Sequence, residues 1–360
     1  MKTNVLIFAL SLFVNLCYGQ KRNELINVAI PEAYELANII LAITPYTLDA
    51  NSFEVAKETK YYNEILSYFM KYSKHPLIEK VNFTIEKWDY YLSFRTDAYA
   101  FDINGNKLER MFKFRAQNDR NEFEDNIVLV EDFMKVSGFR DFYKNHKSYY
   151  DSIIDVYSKT QMLPEILSFL KKEFPSKNNS QKFSFSIIAS PLVNRMNCHR
   201  DVNGIPTDFI SLPNFILYGD LSSKPSDKDI SQGVHMLFTE TDHGFVNPAT
   251  INFGNKVKKS FNVVFWDKNS GYGDYAYGVF NEYMTWAVYD IFVFNYFPQV
   301  ADEVCDKWAK QNETRGFIYS SIFSKKIIEL YKSKKKNETI RDLYPKILQW
   351  CAEFQKGENK

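Results

Sequence analysis

The chain has 360 residues, with 45 basic against 44 acidic side chains; 45% of it is hydrophobic and 17% aromatic. Only 13 Gly and 12 Pro are present, which excludes a collagen-like or low-complexity chain, while the aromatic content suffices for a large core. The balanced charge argues against nucleic-acid binding, because phosphate contacts need a clustered excess of Lys and Arg.

Lys2 precedes an apolar stretch, Val5 to Leu16, which ends in Cys17-Tyr18-Gly19 before Gln20. This is the layout of a secretory signal peptide, with cleavage expected near Gly19-Gln20 and export to the periplasm or the extracellular space. Lipid attachment through Cys17 is the competing reading, and Leu16 stands where that signal expects a small residue. The stretch is shorter than the roughly 20 apolar residues of a spanning helix. No later segment is expected to span; Tyr283 to Phe297 comes closest and carries Asp290 and Asn295. After cleavage Cys198, Cys305 and Cys351 are left, so at most one disulfide forms, and no C-x-x-C pair points to a thiolate metal site.

In chain order, Pro31 to Thr44 predicts a helix, with Pro31 and Glu32 suited to its start and Leu36, Ile39, Ile40 and Ile43 at helical spacing. Phe53 to Tyr72 repeats that pattern. Lys87 to Phe101 is aromatic without a clear period, and Asp102 to Asn106 predicts a turn. Phe123 to Tyr157 and Met162 to Phe174 read as helices, followed by a polar break at Ser176 to Ser180. Strand signals then appear at Phe183 to Ile188, at Phe209 to Tyr218 and at Phe261 to Trp266, with a helix over Val234 to Phe245. Gly271-Tyr272-Gly273-Asp274 reads as a loop. A long apolar helix is predicted over Val279 to Phe297, and three more over Asp302 to Gln311, Gly316 to Tyr331 and Ile340 to Phe354. The sum is an α+β protein: a signal peptide over 1–19, then one domain over 20–360 with a helical part (20–180), a motif-bearing core (181–300) and C-terminal helices (301–360).

The stretch that suggests chemistry is Thr239-Glu240-Thr241-Asp242-His243-Gly244-Phe245-Val246-Asn247-Pro248. On a helix Glu240 and His243 share a face. Zinc peptidases carry H-E-x-x-H, two His ligands four apart with the Glu as general base; here Thr239 holds the first His position. Glu282 lies on the long apolar helix, where a carboxylate is expected to be paired or metal-bound. Tyr272, Tyr275 and Tyr277, just before it, either pack or line a cleft. Among other donors, His235 lies about 12 Å along the helix from His243, too far to share an ion comfortably. His199 is placed to approach from a loop, and Asp242 points elsewhere on the helix. Ser190 lacks a G-x-S-x-G context.

At these residues the chain resembles the DUF4932 family of secreted Bacteroides-type proteins, whose helix motif reads H-E-F-x-H-x-F-V-N-P. The resemblance is carried by Glu240, His243, Phe245-Val246-Asn247-Pro248, Asn281-Glu282-Tyr283 and Pro31-Glu32-Ala33-Tyr34-Glu35-Leu36. It implies a zincin-like core of a small sheet, an active-site helix and a ligand helix. Glu240 would be the base, and His243 and Glu282 the metal ligands. With Thr239 at the first ligand position, two ligands are left where catalytic zinc takes three plus water. The expectation is therefore weak or absent zinc binding and an inactive or weakly active metallopeptidase homologue acting on peptide or protein. The alternatives are an active zinc peptidase and a non-enzymatic binding protein, including one that takes a glycan through exposed aromatics.

Overall fold

The computed structural model describes residues 25–114, 120–175, 184–194, 197–202, 205–212, 225–273 and 275–357. The chain starts with β1 (Leu25–Ala29), α1 (Glu32–Ala42) and α2 (Pro45–Leu48). Next come α3 (Lys60–Phe69), α4 (Pro76–Lys80), α5 (Trp88–Asp97) and the hairpin β2 (Phe101–Asn104)–β3 (Lys107–Arg110). Helices α6 (Glu122–Asp125), α7 (Ile127–Ser137), α8 (Phe139–Asn145), α9 (Lys147–Thr160) and α10 (Leu163–Glu173) precede β4 (Ser184–Ile188), β5 (Cys198–Val202) and β6 (Ile205–Ser211). The remainder is helical: α11 (Asp227–Asn252), α12 (Gly254–Ser260), α13 (Val263–Trp266), α14 (Ala276–Tyr296), α15 (Ala301–Thr314), α16 (Ser320–Ser333) and α17 (Ile340–Gly357). The fold is thus α+β, and no helix among the described residues is long and apolar enough to cross a membrane.

The larger sheet has the order β1-β4-β6-β5. β1 and β6 run parallel to β4, and β5 runs antiparallel to β6 at the edge, with Cys198 opposite Ser211. No strand signal precedes Phe183 in the sequence, yet Leu25–Ala29 lies beside Ser184–Ile188. Its apolar residues become a strand by pairing with a partner about 160 residues away, which local pattern does not encode. The placing of the whole sheet after the helical part is corrected accordingly: the sheet takes one strand from Leu25–Ala29, ahead of the first helix.

Other elements depart from the sequence pattern for local reasons. The Phe261 to Trp266 strand signal is instead a helical turn, α13, because the Asn262 side chain accepts from the Val264 amide. The Phe53 to Tyr72 helix starts only at Lys60, where Thr59 caps it; upstream, Val55 bridges Val193. Phe123 to Tyr157 is four helices, and the break at Gly138 has φ +67°, a left-handed conformation that suits Gly. Of the expected Asp102 to Asn106 turn only Gly105-Asn106 turns, closing the hairpin; Asp102 to Asn104 belong to β2, paired with Lys107 to Glu109. Ser176 to Ser180, Phe183 and the 213–218 part of the second strand signal lie outside the described residues, as do residues 1–24.

Trp266 forms the hub of the C-terminal core. It is fully buried, and Phe261, Tyr283, Tyr319, Phe323, Trp350 and Phe354 surround its ring. α14 threads this core, with a continuous buried run from Tyr283 to Val293. Within that run Asp290 is buried and accepts from the Ser324 hydroxyl; burial raises its pKa to about 7. Cys198, Cys305 and Cys351 are buried, and none of them is in a disulfide among the described residues.

Replacing Trp266 by Ala removes the hub, and a loss of about 3–5 kcal/mol in urea unfolding is expected. Asp290 favours the folded state fully below its ordinary pKa near 3.8, and this contribution is lost as pH rises through about 7. Asp290→Asn should flatten the fall of the urea midpoint between about pH 4 and pH 7 relative to wild type; an unchanged slope would contradict the assignment.

Candidate functional site

The site is built on α11 and α14. Ser226 starts α11 with a capping box: its hydroxyl accepts from the Asp229 amide and the Asp229 carboxylate accepts from the Ser226 amide. The helix runs through Pro248, which has no N–H for the Gly244 carbonyl; Gly244 is exposed, so water can serve that carbonyl instead. α14 packs antiparallel to α11. The Tyr289 hydroxyl donates to the Ser231 carbonyl at 2.7 Å, and further along the Thr285 hydroxyl donates to Asp242 Oδ1 at 3.0 Å.

Asp242 is fully buried in this seam, and its Oδ2 has no partner among the described residues. Burial raises its pKa well above the carboxylate range, and the nearby carboxylates Glu282 and Glu240 add to the shift. Burial thus favours the protonated form of this carboxyl. The sequence reading, which sent Asp242 elsewhere on the helix, agrees in direction but did not identify Thr285 as its partner.

One face further round α11, Glu240 and His243 lie on the partly exposed side of the helix. His243 Nε2 lies 3.9 Å from Glu282 Oε1, with the two side chains 29% and 13% exposed. Glu240 accepts a hydrogen bond from the Asn197 side chain. Asn197 immediately precedes β5, at the end where the parallel strands finish, which is where open α/β sheets generally place ligands. The structure thus brings His243 and Glu282 together, with Glu240 three residues before His243 on α11 and bonded to Asn197.

The other candidates separate from it. Thr239 is buried and its hydroxyl donates to the Met236 carbonyl at 3.2 Å, so it serves its own helix. His235 is buried flat against Trp308 at 3.8 Å and edge-on to Tyr289; burial lowers its pKa to about 3, and it takes no part in the groove. His199 lies on β5 rather than on a loop, and its side chain falls outside the described residues. His75 and His146 are not free surface residues: His75 pairs with Asp132 at 3.0 Å, and His146 stacks on Phe142 and reaches Glu64 at 3.1 Å. Tyr272 comes within hydrogen-bonding reach of Glu282; burial first and Glu282 next raise its pKa, while Arg315 pulls it down. Tyr275 is exposed, and Tyr277 packs under Lys258 and beside Gly254.

Do these residues fit a zinc ion? Two bonds of about 2.0–2.1 Å at a tetrahedral angle put their donor atoms about 3.3 Å apart, so the 3.9 Å pair closes onto an ion with a small side-chain adjustment. A ligating imidazole normally has its second nitrogen held by a carboxylate or carbonyl, and His243 Nδ1 is buried without a partner. Among the described residues no group of three His, Cys, Asp or Glu is placed to hold a metal. The described donors amount to half of a zinc site and fall short of the three ligands a catalytic ion takes.

Asn197, Thr285 and Tyr272 are the functional neighbours that sequence reasoning missed or left as packing. Only Tyr272 carried a signal, its flanking Gly271 and Gly273, both at positive φ. No family model, no curated protein and no solved structure matches the chain. Thr285→Val leaves both oxygens of buried Asp242 without a donor, and a loss of about 1–3 kcal/mol is expected from chemical unfolding, with Thr285→Ser close to wild type.

Proposed function

We propose that the α11–α14 groove is a zincin-like peptide-binding site with an incomplete metal centre, in an exported protein of the kind the DUF4932 resemblance implies. The observation that carries this is the approach of His243 to Glu282, with Glu240 three residues before His243 on α11, while the Thr239 hydroxyl is turned into its own helix. A zinc ion with three protein ligands supplies an acidified water for a general base. With two described ligands and a neutral hydroxyl at the third position, Glu240 has no such water to act on. The reading is therefore peptide binding with little or no hydrolysis.

The sheet supports the peptide side of this reading. β5 ends the strand order, so one of its edges has no strand partner among the described residues. An extended peptide adds to such an edge through main-chain hydrogen bonds. The start of β5 adjoins Asn197, which holds Glu240, so a strand added there would run past the groove.

Thr239→His is the decisive variant. It should raise zinc content after dialysis from well below one equivalent to about one, since each further ligand strengthens the site. Any peptidase activity gained should vanish in Thr239→His/Glu240→Gln. A folded Thr239→His protein that takes up no more zinc than wild type would sink the ligand assignment. One equivalent of zinc in wild type would replace the incomplete centre with a complete one.

A further inference from the structure

Arg315 follows α15, is exposed, and stands where the groove leaves Glu282. Its guanidinium carbon lies 5.5 Å from the centre of the Trp286 ring and 5.6 Å from that of Phe317. Trp286 is one helical turn beyond Glu282 on the same face of α14. The rings form a continuous wall: Phe317 meets Trp286 at 4.5 Å and Tyr272 at 5.8 Å, and Tyr272 reaches Glu282.

This arrangement is fixed by backbone. Gly316 has φ +110°, and its carbonyl accepts from the Lys268 amide at 2.8 Å. A Cβ at this position would lie 2.5 Å from the Lys268 carbonyl oxygen, so only Gly fits. The turn bearing Arg315 and Phe317 is thereby pinned to the loop that leads into Tyr272.

The guanidinium itself is under-used. Among the described residues its side-chain partner is Asn312 Oδ1, at a long 3.4 Å, and it forms no ion pair. An Arg held beside aromatic rings by cation–π attraction, with no ion pair among the described residues, keeps donors of its fork for a carboxylate. The ordinary alternative is a surface Arg that merely covers Trp286 and Phe317. What separates the two is the acid partner missing among the described residues and the position at the far end of the aromatic wall from Glu282. Glu240 and Glu282 also repel an anion from the other end of the groove, so a bound carboxylate has one favourable place.

We propose that Arg315 is the carboxylate-binding residue of this groove and orients a bound peptide by its C-terminal or acidic side-chain carboxylate. The inference rests on the reading of the groove as peptide-binding. The test uses the full mature chain and calorimetric titration at low salt with three probes: N-acetyl-trialanine as the free acid, the same peptide as its C-terminal amide, and N-acetyl-Ala-Glu-Ala amide. At least one acidic probe should bind about tenfold more tightly than the trialanine amide; the free-acid and Glu-containing arms tell which carboxylate is recognised. Arg315→Ala should level the probes while leaving the affinity for the trialanine amide unchanged, and Arg315→Lys should keep part of the preference. A purely structural role would instead weaken all probes alike. Equal affinities in wild type, or a preference that survives Arg315→Ala, overturn the carboxylate anchor and leave the peptide groove standing. Failure of every probe to bind overturns both.

Discussion

The hydrogen bond from Thr285 to buried Asp242 sets the rotation of α11 against α14, and the geometry of the groove follows from that rotation. At 3.6 residues per turn, Thr239 lies about 60° round the helix from Asp242, His243 about 100° and Glu240 about 160°. With Asp242 facing α14 in the dry seam, Thr239 is carried into the interior, His243 to the rim opposite Glu282, and Glu240 toward Asn197. A different rotation would bury Glu240, and burying that carboxylate costs more than one hydrogen bond is worth.

Three buried acids are pushed toward the neutral form. Asp242, Asp290 and Glu35 are all buried, and each has its pKa raised by loss of water, Asp290 and Glu35 to about 7. Glu35 accepts from the Tyr61 hydroxyl at 2.7 Å, which in turn meets the Tyr150 hydroxyl at 2.6 Å. A protonated carboxyl can both donate and accept, so it satisfies a partner on a neighbouring helix without the desolvation of a charge. The three groups sit at separate helix contacts and share one sign of pH dependence, each favouring the folded state at lower pH.

At the groove the same physics is reversed. His243 and Glu282 keep partial access to water, and the partnerless His243 Nδ1 stands beside them. Asp242 is thus sealed while His243 and Glu282 are partly exposed, and the proposed ligand-binding role of the rim rests on that contrast. The aromatic wall from Tyr272 to Trp286 extends that rim toward Arg315, so acidic and basic ends lie along one surface.

Helical spacing alone placed Glu240 and His243 on one face and singled out Glu282 as a carboxylate in an apolar helix, because a 3.6-residue period is a local property. The long elements α1, α10, α14, α15 and α17 were legible for the same reason. The strand Leu25–Ala29, the helical turn at Val263–Trp266 and the partners Asn197, Thr285 and Tyr272 were not. Each depends on a contact between residues distant in the chain or on a single cap that outweighs a β-like composition. Composition and periodicity determined the α+β class and which residues share a helix face. Only tertiary packing decided which faces meet, because the burial of Asp242 and the 3.9 Å approach of His243 to Glu282 arise between helices, where no local period reaches.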